Sequence, residues 1–340
     1  MRRATILLGW AMLAACSDST SPPVTPVDAA TDEAAAPSPD AGVTGPTKLS
    51  ETGLYADVAK KTLAPGVLGY DVRYPLWSDG SGKSRYLLLP EGATIDVSDT
   101  EYWTFPVGTK VWKHFEKDGK LVETRFLWKK SDTVWFEMGY AWLDDESDAI
   151  AQPKGTKSVR GTSHDVPEIV RCHECHDNVV DTVIGLDPMQ LSNGPTGMLA
   201  TLGATGKLSK ALPDSEIPGD PTQKAALGYM HGNCGGCHND HGKFKGQTSL
   251  RLRVLSTEKT VEQTGVYRTA FGLKMVHPIP PDITDALVAG DAAHSGIYYR
   301  MVVRDGFAMP PYGSKVLDPA GSKAVEAWIV SMGAKDAGAD

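Results

Sequence analysis

The residues best suited to chemistry lie in two short runs, Cys172-His173-Glu174-Cys175-His176 and Cys234-Gly235-Gly236-Cys237-His238. Each is a pair of cysteines three apart, followed at once by a histidine. Residues at that spacing share one side of a helical turn. Two thiols so placed can add to the two vinyl groups of one porphyrin, while the next residue turns its imidazole toward the iron. The pattern is that of covalent haem c attachment. Four cysteines in two C-x2-C pairs also suit zinc, and in an oxidising compartment they suit two disulfides. The separation between the pairs is long for a zinc ribbon, however, and neither chemistry uses the two histidines. A thioredoxin-like redox site would need a βαβ context that the chain lacks. The expectation is two covalently attached haem c groups, held by Cys172, Cys175, Cys234 and Cys237, with His176 and His238 as iron ligands.

An iron in such a group usually takes a second ligand on its other face. For the second motif that ligand is expected to be Met309, which precedes two prolines that stiffen its loop and stands before the last helix. Met/His ligation is established for cytochromes c. For the first motif His231 ranks first, because it lies three residues before Cys234 and could project toward a neighbouring haem. Met189, Met198 and an open position follow, with His164 an outside candidate. His173, His241, His277 and His294 read as surface histidines.

The elements that must position these residues fall into two halves. From about Gln152 onward helical and loop patterns dominate: "TQKAALGYM" reads as a helix leading into Cys234, and "SKAVEAWIVSM" as a closing helix with Ala324, Ala327, Trp328 and Met332 along one side. A helix before the attachment site, a methionine loop and a closing helix together describe a class I-like cytochrome c. Between Leu49 and about Gln152 stand six of the eight tryptophans and no cysteine, and alternating strand-like runs flank Asp118-Gly119 and Ser131-Asp132 as turns. An antiparallel β-sandwich or compact sheet is expected there. Trp112, Trp128, Trp135 and Trp142 could form a carbohydrate or quinone platform, but large aromatics more commonly fill the space between layers. His114 reads as a packing or surface histidine. "DDESD" at 144–148 lacks the spacing and glycine of a calcium loop and reads as a solvated turn.

The first residues form an export signal: Arg2 and Arg3, an apolar run too short to span a bilayer, then Leu13-Ala14-Ala15-Cys16, which resembles a lipobox. Cys16 is the expected lipidation site. Residues 16–47, rich in proline, alanine and acids and without aromatic residues, read as a disordered tether. The expected organisation is a signal peptide at 1–15, the tether at 16–47, a β-rich domain at 48–155 and a mainly α diheme domain at 156–335, a multidomain α+β chain. The net charge of −8 and the lack of a basic stripe argue against nucleic acid as a partner and suit a basic redox partner instead. With 35 glycines and 23 prolines the chain is rich in loops, as suits a core partly supplied by a bound cofactor.

The stretches "YPLWSDGSGKSRYLLLP", "FPVGTKVWKHF", "ETRFL", "YAWLDDESDA", "LGYMHGNCGGCH" and "GDAAHSGIYYRMVVRDGFAMPPYGSKVLD" resemble a family of exported bacterial diheme c-type cytochromes with a β-rich N-terminal part. The resemblance covers nearly all of the chain after the tether. It implies haem attachment at Cys172, Cys175, Cys234 and Cys237, ligation by His176 and His238, and Met309 as a distal ligand, but it supplies no physiological reaction. The functional expectation is single-electron transfer in the cell envelope, with the protein lipid-anchored on the periplasmic or the outer-membrane, cell-surface side and serving a redox protein or membrane donor or acceptor. The alternatives are a diheme peroxidase- or oxidase-like enzyme with one open iron, or a zinc- or disulfide-stabilised binding module.

Overall fold

Alternating apolar and polar residues between Leu68 and Ala151 build a six-stranded antiparallel sheet. In the computed structural model, which describes residues 44–279 and 283–336, a two-stranded ribbon of β1 (Tyr55–Asp57) and β2 (Thr62–Leu63) comes first. The main sheet then runs β3 (Leu68–Tyr70), β4 (Gly82–Leu88), β5 (Lys110–Lys117), β6 (Lys120–Lys129), β7 (Trp135–Trp142) and β8 (Ala149–Ala151), each strand paired with the next. The β5–β6 connection is the tight Asp118-Gly119 turn, with both residues at positive φ. One meander replaces the two packed sheets of a sandwich. The signal, Cys16 and the tether as far as residue 43 lie outside the described residues.

The two faces of the sheet differ in chemistry. On one, Trp112, Phe126, Phe136, Tyr140 and Trp142 pack beneath Leu49, Leu54 and Tyr55 of the preceding segment. Trp112 and Trp142 are buried there, Trp135 is buried on the opposite face, and half-buried Trp128 lies under Lys110 and Lys130. The tryptophans therefore fill space and form no exposed platform. Residues 44–47, expected in the tether, are part of this layer: the Tyr140 hydroxyl donates to the Pro46 carbonyl (2.8 Å) and the Ala151 amide to the Thr47 carbonyl (2.9 Å).

The other face is shared with the second half of the chain. Leu87, Val111, Leu127 and Trp135 of the sheet form one core with Val183, Leu186, Leu191, Leu199 and Leu202. Contacts group the described residues as one compact unit. Seven α-helices follow the sheet among the described residues: α1 (His173–His176), α2 (Pro188–Leu191), α3 (Met198–Ala204), α4 (Pro221–Asn233), α5 (Gly265–Ala270), α6 (Gly296–Val302) and α7 (Pro319–Asp336). A short hairpin of β9 (Lys274–Ile279) and β10 (Ile283–Asp285) stands between α5 and α6. None of these helices is long and apolar enough to cross a membrane.

Helix α4 starts at a capping box, in which the Asp220 carboxylate accepts from the Gln223 amide (3.0 Å) and the Gln223 side chain accepts from the Asp220 amide (2.8 Å). Its glycines make room for the other half. A Cβ on Gly228 would lie 2.2 Å from the Tyr74 ring, and one on Gly232 would lie 2.1 Å from the Tyr74 carbonyl oxygen. Segment 74–77 is thus seated directly on α4. Gln190 clamps it further, accepting from the Tyr74 amide and donating to the Tyr74 carbonyl, both at 3.0 Å. Helix α7 packs across α4 with Val325, Trp328 and Ile329 buried. Ala327, expected on that face, is exposed because the branched and aromatic side chains turn inward instead.

His114 sits in β5 within the aromatic layer, 3 % exposed. Its Nε2 lies 2.6 Å from the Tyr55 hydroxyl and its Nδ1 2.6 Å from Thr124 Oγ1, which also accepts from the Trp142 indole N–H (2.9 Å). Burial, with a smaller contribution from Lys61, holds the imidazole down to about 4, so the folded protein keeps it neutral. The unfolded chain binds a proton below about 6.5 and the folded chain does not, so stability falls as the pH drops from about 6.5 to about 4. His114→Ala should cost about 2–4 kcal/mol through a cavity and two deserted hydroxyls. The variant should also show a shallower acid slope in urea titrations at stepped pH. An unchanged slope contradicts the buried neutral assignment.

Candidate functional site

Both motifs fold into the same turn. In the first, the His176 amide donates to the Cys172 carbonyl (2.9 Å), and in the second the His238 amide donates to the Cys234 carbonyl (2.9 Å); the Cys175 and Cys237 amides also donate to those carbonyls, at 3.1 and 3.0 Å. Each CxxCH run therefore brings its two thiols to one side with the histidine following. No disulfide joins any two of these four cysteines. The motifs, 62 positions apart by residue number (172 and 234), lie against each other: the Cys175 and Cys237 thiols are within hydrogen-bonding reach.

Two buried asparagines tie the turns together. Asn239 Nδ2 donates to the Asn178 carbonyl (2.9 Å) and to the Gly235 and Gly236 carbonyls of its own motif (3.1 and 3.0 Å). Asn178 Nδ2 donates to the Glu174 carbonyl (2.7 Å) and lies 3.8 Å from Cys237 Sγ, while its Oδ1 accepts from the Lys243 amide (3.0 Å). Lys243 also reaches Glu174 at 3.1 Å. Sequence reasoning passed over both asparagines. The available signal was an Asn within two residues of each trailing histidine, in "CHDN" and "CHND".

The two trailing histidines differ in how their rings are held. His176 Nδ1 lies 2.5 Å from the Thr182 carbonyl oxygen, so it carries the hydrogen and leaves the Nε2 lone pair free. For His238 the Leu250 carbonyl lies beside the ring, outside good hydrogen-bond geometry, so Nδ1 is buried and unsatisfied. Burial lowers both imidazoles, His176 to about 4. A metal-binding histidine typically gives its other N–H to a backbone carbonyl. His176 shows that arrangement and would suit a porphyrin iron; His238 would suit one with its Nδ1 hydrogen turned to the Leu250 carbonyl beside it. Burial pushes the Cys172 and Cys234 thiols up to about 12. Of the touching pair, the hydrogen bond favours thiolate character on Cys175, helped by Arg125 and Lys113, and holds Cys237 protonated.

Met309 is held in a braced loop. Its amide donates to the Arg300 carbonyl (2.8 Å), and Arg300 Nη1 donates to the Phe307 carbonyl (3.0 Å). The Arg300 charge is felt at His238, so the start of this loop lies near the second motif. Its far end is fixed by the sheet half: Asp79 accepts from the Ser314 hydroxyl (2.9 Å) and from the amides of Lys315 (2.9 Å) and Val316 (3.0 Å). The Trp77 indole donates to the Val316 carbonyl (2.9 Å). The Met309 side chain itself is exposed.

The candidates for the first motif's second ligand are engaged elsewhere. His231 is buried, with Nδ1 accepting from the Val254 amide (3.2 Å) and Nε2 facing Asp187 at 3.5 Å, so neither ring nitrogen is offered to an iron. Met189 is fully buried in the helical core and Met198 rests against the sheet-side core. His164 Nε2 bonds to Glu123 at 2.8 Å. Of the presumed surface histidines, His294 is exposed and pairs with Asp291 (2.6 Å), His173 lies 3.2 Å from Asp177, and His241 packs on Tyr102. The His277 side chain lies outside the described ones. Among the described residues no three His, Cys, Asp or Glu side chains converge as metal donors, so the zinc reading finds no donor set.

Asp187 is the hub that fixes His231. It caps α2 through the Gln190 amide (3.0 Å) and meets Arg253 at 3.3 Å. Burial opposes its ionisation, but Arg253 and then His231 hold the carboxyl well below the usual range. This contribution to stability is complete above the ordinary carboxylate value and is lost as the pH falls toward the depressed one. Asp187→Ala strands a buried guanidinium and should cost about 3–5 kcal/mol in chemical denaturation. A loss below about 1 kcal/mol, the scale of an exposed pair, contradicts the network.

Compared with known proteins, the chain matches no family model, no curated protein and no solved structure.

Proposed function

We propose that this protein is an exported diheme c-type cytochrome that passes single electrons in the cell envelope. The observation that carries the reading is the pairing of two CxxCH turns of the same backbone geometry, each with its histidine Nδ1 directed at or beside a backbone carbonyl. Bound at these motifs, haem would supply one-electron redox chemistry. Cys172 and Cys175, then Cys234 and Cys237, would hold the two groups, with His176 and His238 as the proximal ligands. Asn178 and Asn239 keep the two attachment turns in register, so the pair behaves as one unit. Met309 is assigned as the second ligand of the second group because its loop follows that motif in the chain and is braced by Arg300 near His238. The lipid anchor at Cys16 and a basic docking partner complete this reading.

A second reading is favoured by the engagement of His231, Met189 and His164 in other contacts. Without them the first site keeps an open face, as in a peroxidase- or oxidase-like enzyme. Electron paramagnetic resonance of the oxidised protein separates the two: a high-spin component equal to one site per chain supports the enzyme, and two low-spin sites support the carrier.

Substitution of Met309 by Ala should abolish the weak red absorption band of sulfur-coordinated ferric iron. Asp79→Ala releases three hydrogen bonds of the same loop and should weaken the band without removing either covalent haem. A band that survives Met309→Ala overturns the distal assignment.

A further inference from the structure

The sheet face turned toward the first motif carries a row of like charges. In the antiparallel register Arg85 stands opposite Lys113, and Lys113 opposite Arg125. Lys83 is two residues from Arg85 on the same face. Like charges directly opposite are destabilising in a sheet, so such a row calls for anions.

The acids nearby do not balance it. Glu123 is shared between Arg125 (2.8 Å) and His164 (2.8 Å). Glu137 is buried in the same layer, near Cys172. Asp71 reaches Arg85 only at 4.0 Å, and its side chain is 93 % exposed while that of Arg85 is 8 % exposed. Arg85 makes no hydrogen bond with the described residues. The Lys113 ammonium forms no ion pair with the described residues, feels the Glu123 charge only at a distance, and rests over the Phe115 ring at 5.1 Å. Lys83 donates to the Leu76 carbonyl and feels Asp318 without an ion pair to it. Burial and the neighbouring cations together disfavour the charged form of Lys113.

The row also has a direction. Arg125 and Lys113 are felt at Cys175 and His176, whereas Arg85 lies two strand spacings from Arg125, about 10 Å. Arg85 thus lies farther from the thiols than Arg125, with Lys113 between them. In a porphyrin bound through its vinyl groups, the two carboxylates lie on the opposite edge.

We propose that Arg85 and Lys113, with Lys83 beside them, form a carboxylate-binding site on the sheet that takes the propionates of the haem held by Cys172 and Cys175. The inference rests on the haem reading above and assigns the β-rich half a part in it. Two carboxylates would convert the repelling row into charge-assisted hydrogen bonds.

The test uses full-length protein matured with haem, and the variants Arg85→Gln, Lys113→Gln and Lys113→Arg. Potentiometry followed by electron paramagnetic resonance resolves the two sites. Each Gln variant should keep two haems per chain and lower the midpoint of the first alone by about tenfold in the electron equilibrium, roughly 59 mV. Lys113→Arg should restore it. With ¹³C-labelled propionates, the carboxylate stretch in redox-difference infrared spectra should shift in both Gln variants. Should Arg85→Gln load poorly, half-buried Lys113 carries the same readouts. Two haems with unmoved first-site midpoint and carboxylate bands overturn this proposal and leave the haem reading standing. Wild-type protein without covalent haem overturns the reading itself.

Discussion

The contact between two CxxCH turns is the constraint around which the structure is arranged. Cys175 and Cys237 touch, and the asparagine that follows each histidine closes its own turn onto a carbonyl; Asn239 also bonds across to the Asn178 carbonyl, and Asn178 reaches Cys237 Sγ. Buried amide side chains satisfied on both ends fix relative position more firmly than apolar contact, because a shift leaves several polar groups unpaired at once. Hinged motion of one motif against the other would break this set.

The β-rich half is built into that arrangement and does not merely precede it. Segment 74–77 lies in the space that Gly228 and Gly232 leave on the helix entering Cys234, and Asp79, two residues further on, holds the end of the Met309 loop. A single loop of the sheet half therefore touches both the attachment helix and the expected ligand loop. The sheet face behind the first motif is charged in its middle and apolar at its ends, one sharing a core with residues 183–202 and the other, at Phe115, packing on Val159 and Val166. Such a surface suits a partner with an apolar body and acidic edge.

Local chemistry made part of this legible in the sequence. The Asp118-Gly119 hairpin, the helix into Cys234 and the closing helix follow from turn residues, caps and periodicity, which act over a few positions. The burial of most of the tryptophans followed from their size. What escaped depended on long-range packing. Asp187 claims His231 only because α2 and α4 come together, and nothing in the spacing of "HGNCGGCH" announces it. The single meander in place of a sandwich arises because the second half of the chain covers the face that a second sheet would have taken. In α7, Val325 and Ile329 outcompeted Ala324 and Ala327 for the interface with α4, a choice that a small-residue stripe does not reveal. The charged row across β4, β5 and β6 is likewise a property of register, since Arg85, Lys113 and Arg125 are far apart in sequence.

The most direct measurement is intact-mass analysis of the mature protein, made in a host that attaches haem c, with thiol alkylation under denaturing conditions and pyridine haemochrome quantitation. The account predicts two covalently bound haems per chain, with Cys172, Cys175, Cys234 and Cys237 all closed to alkylation. A colourless chain in which these four thiols react freely would contradict it.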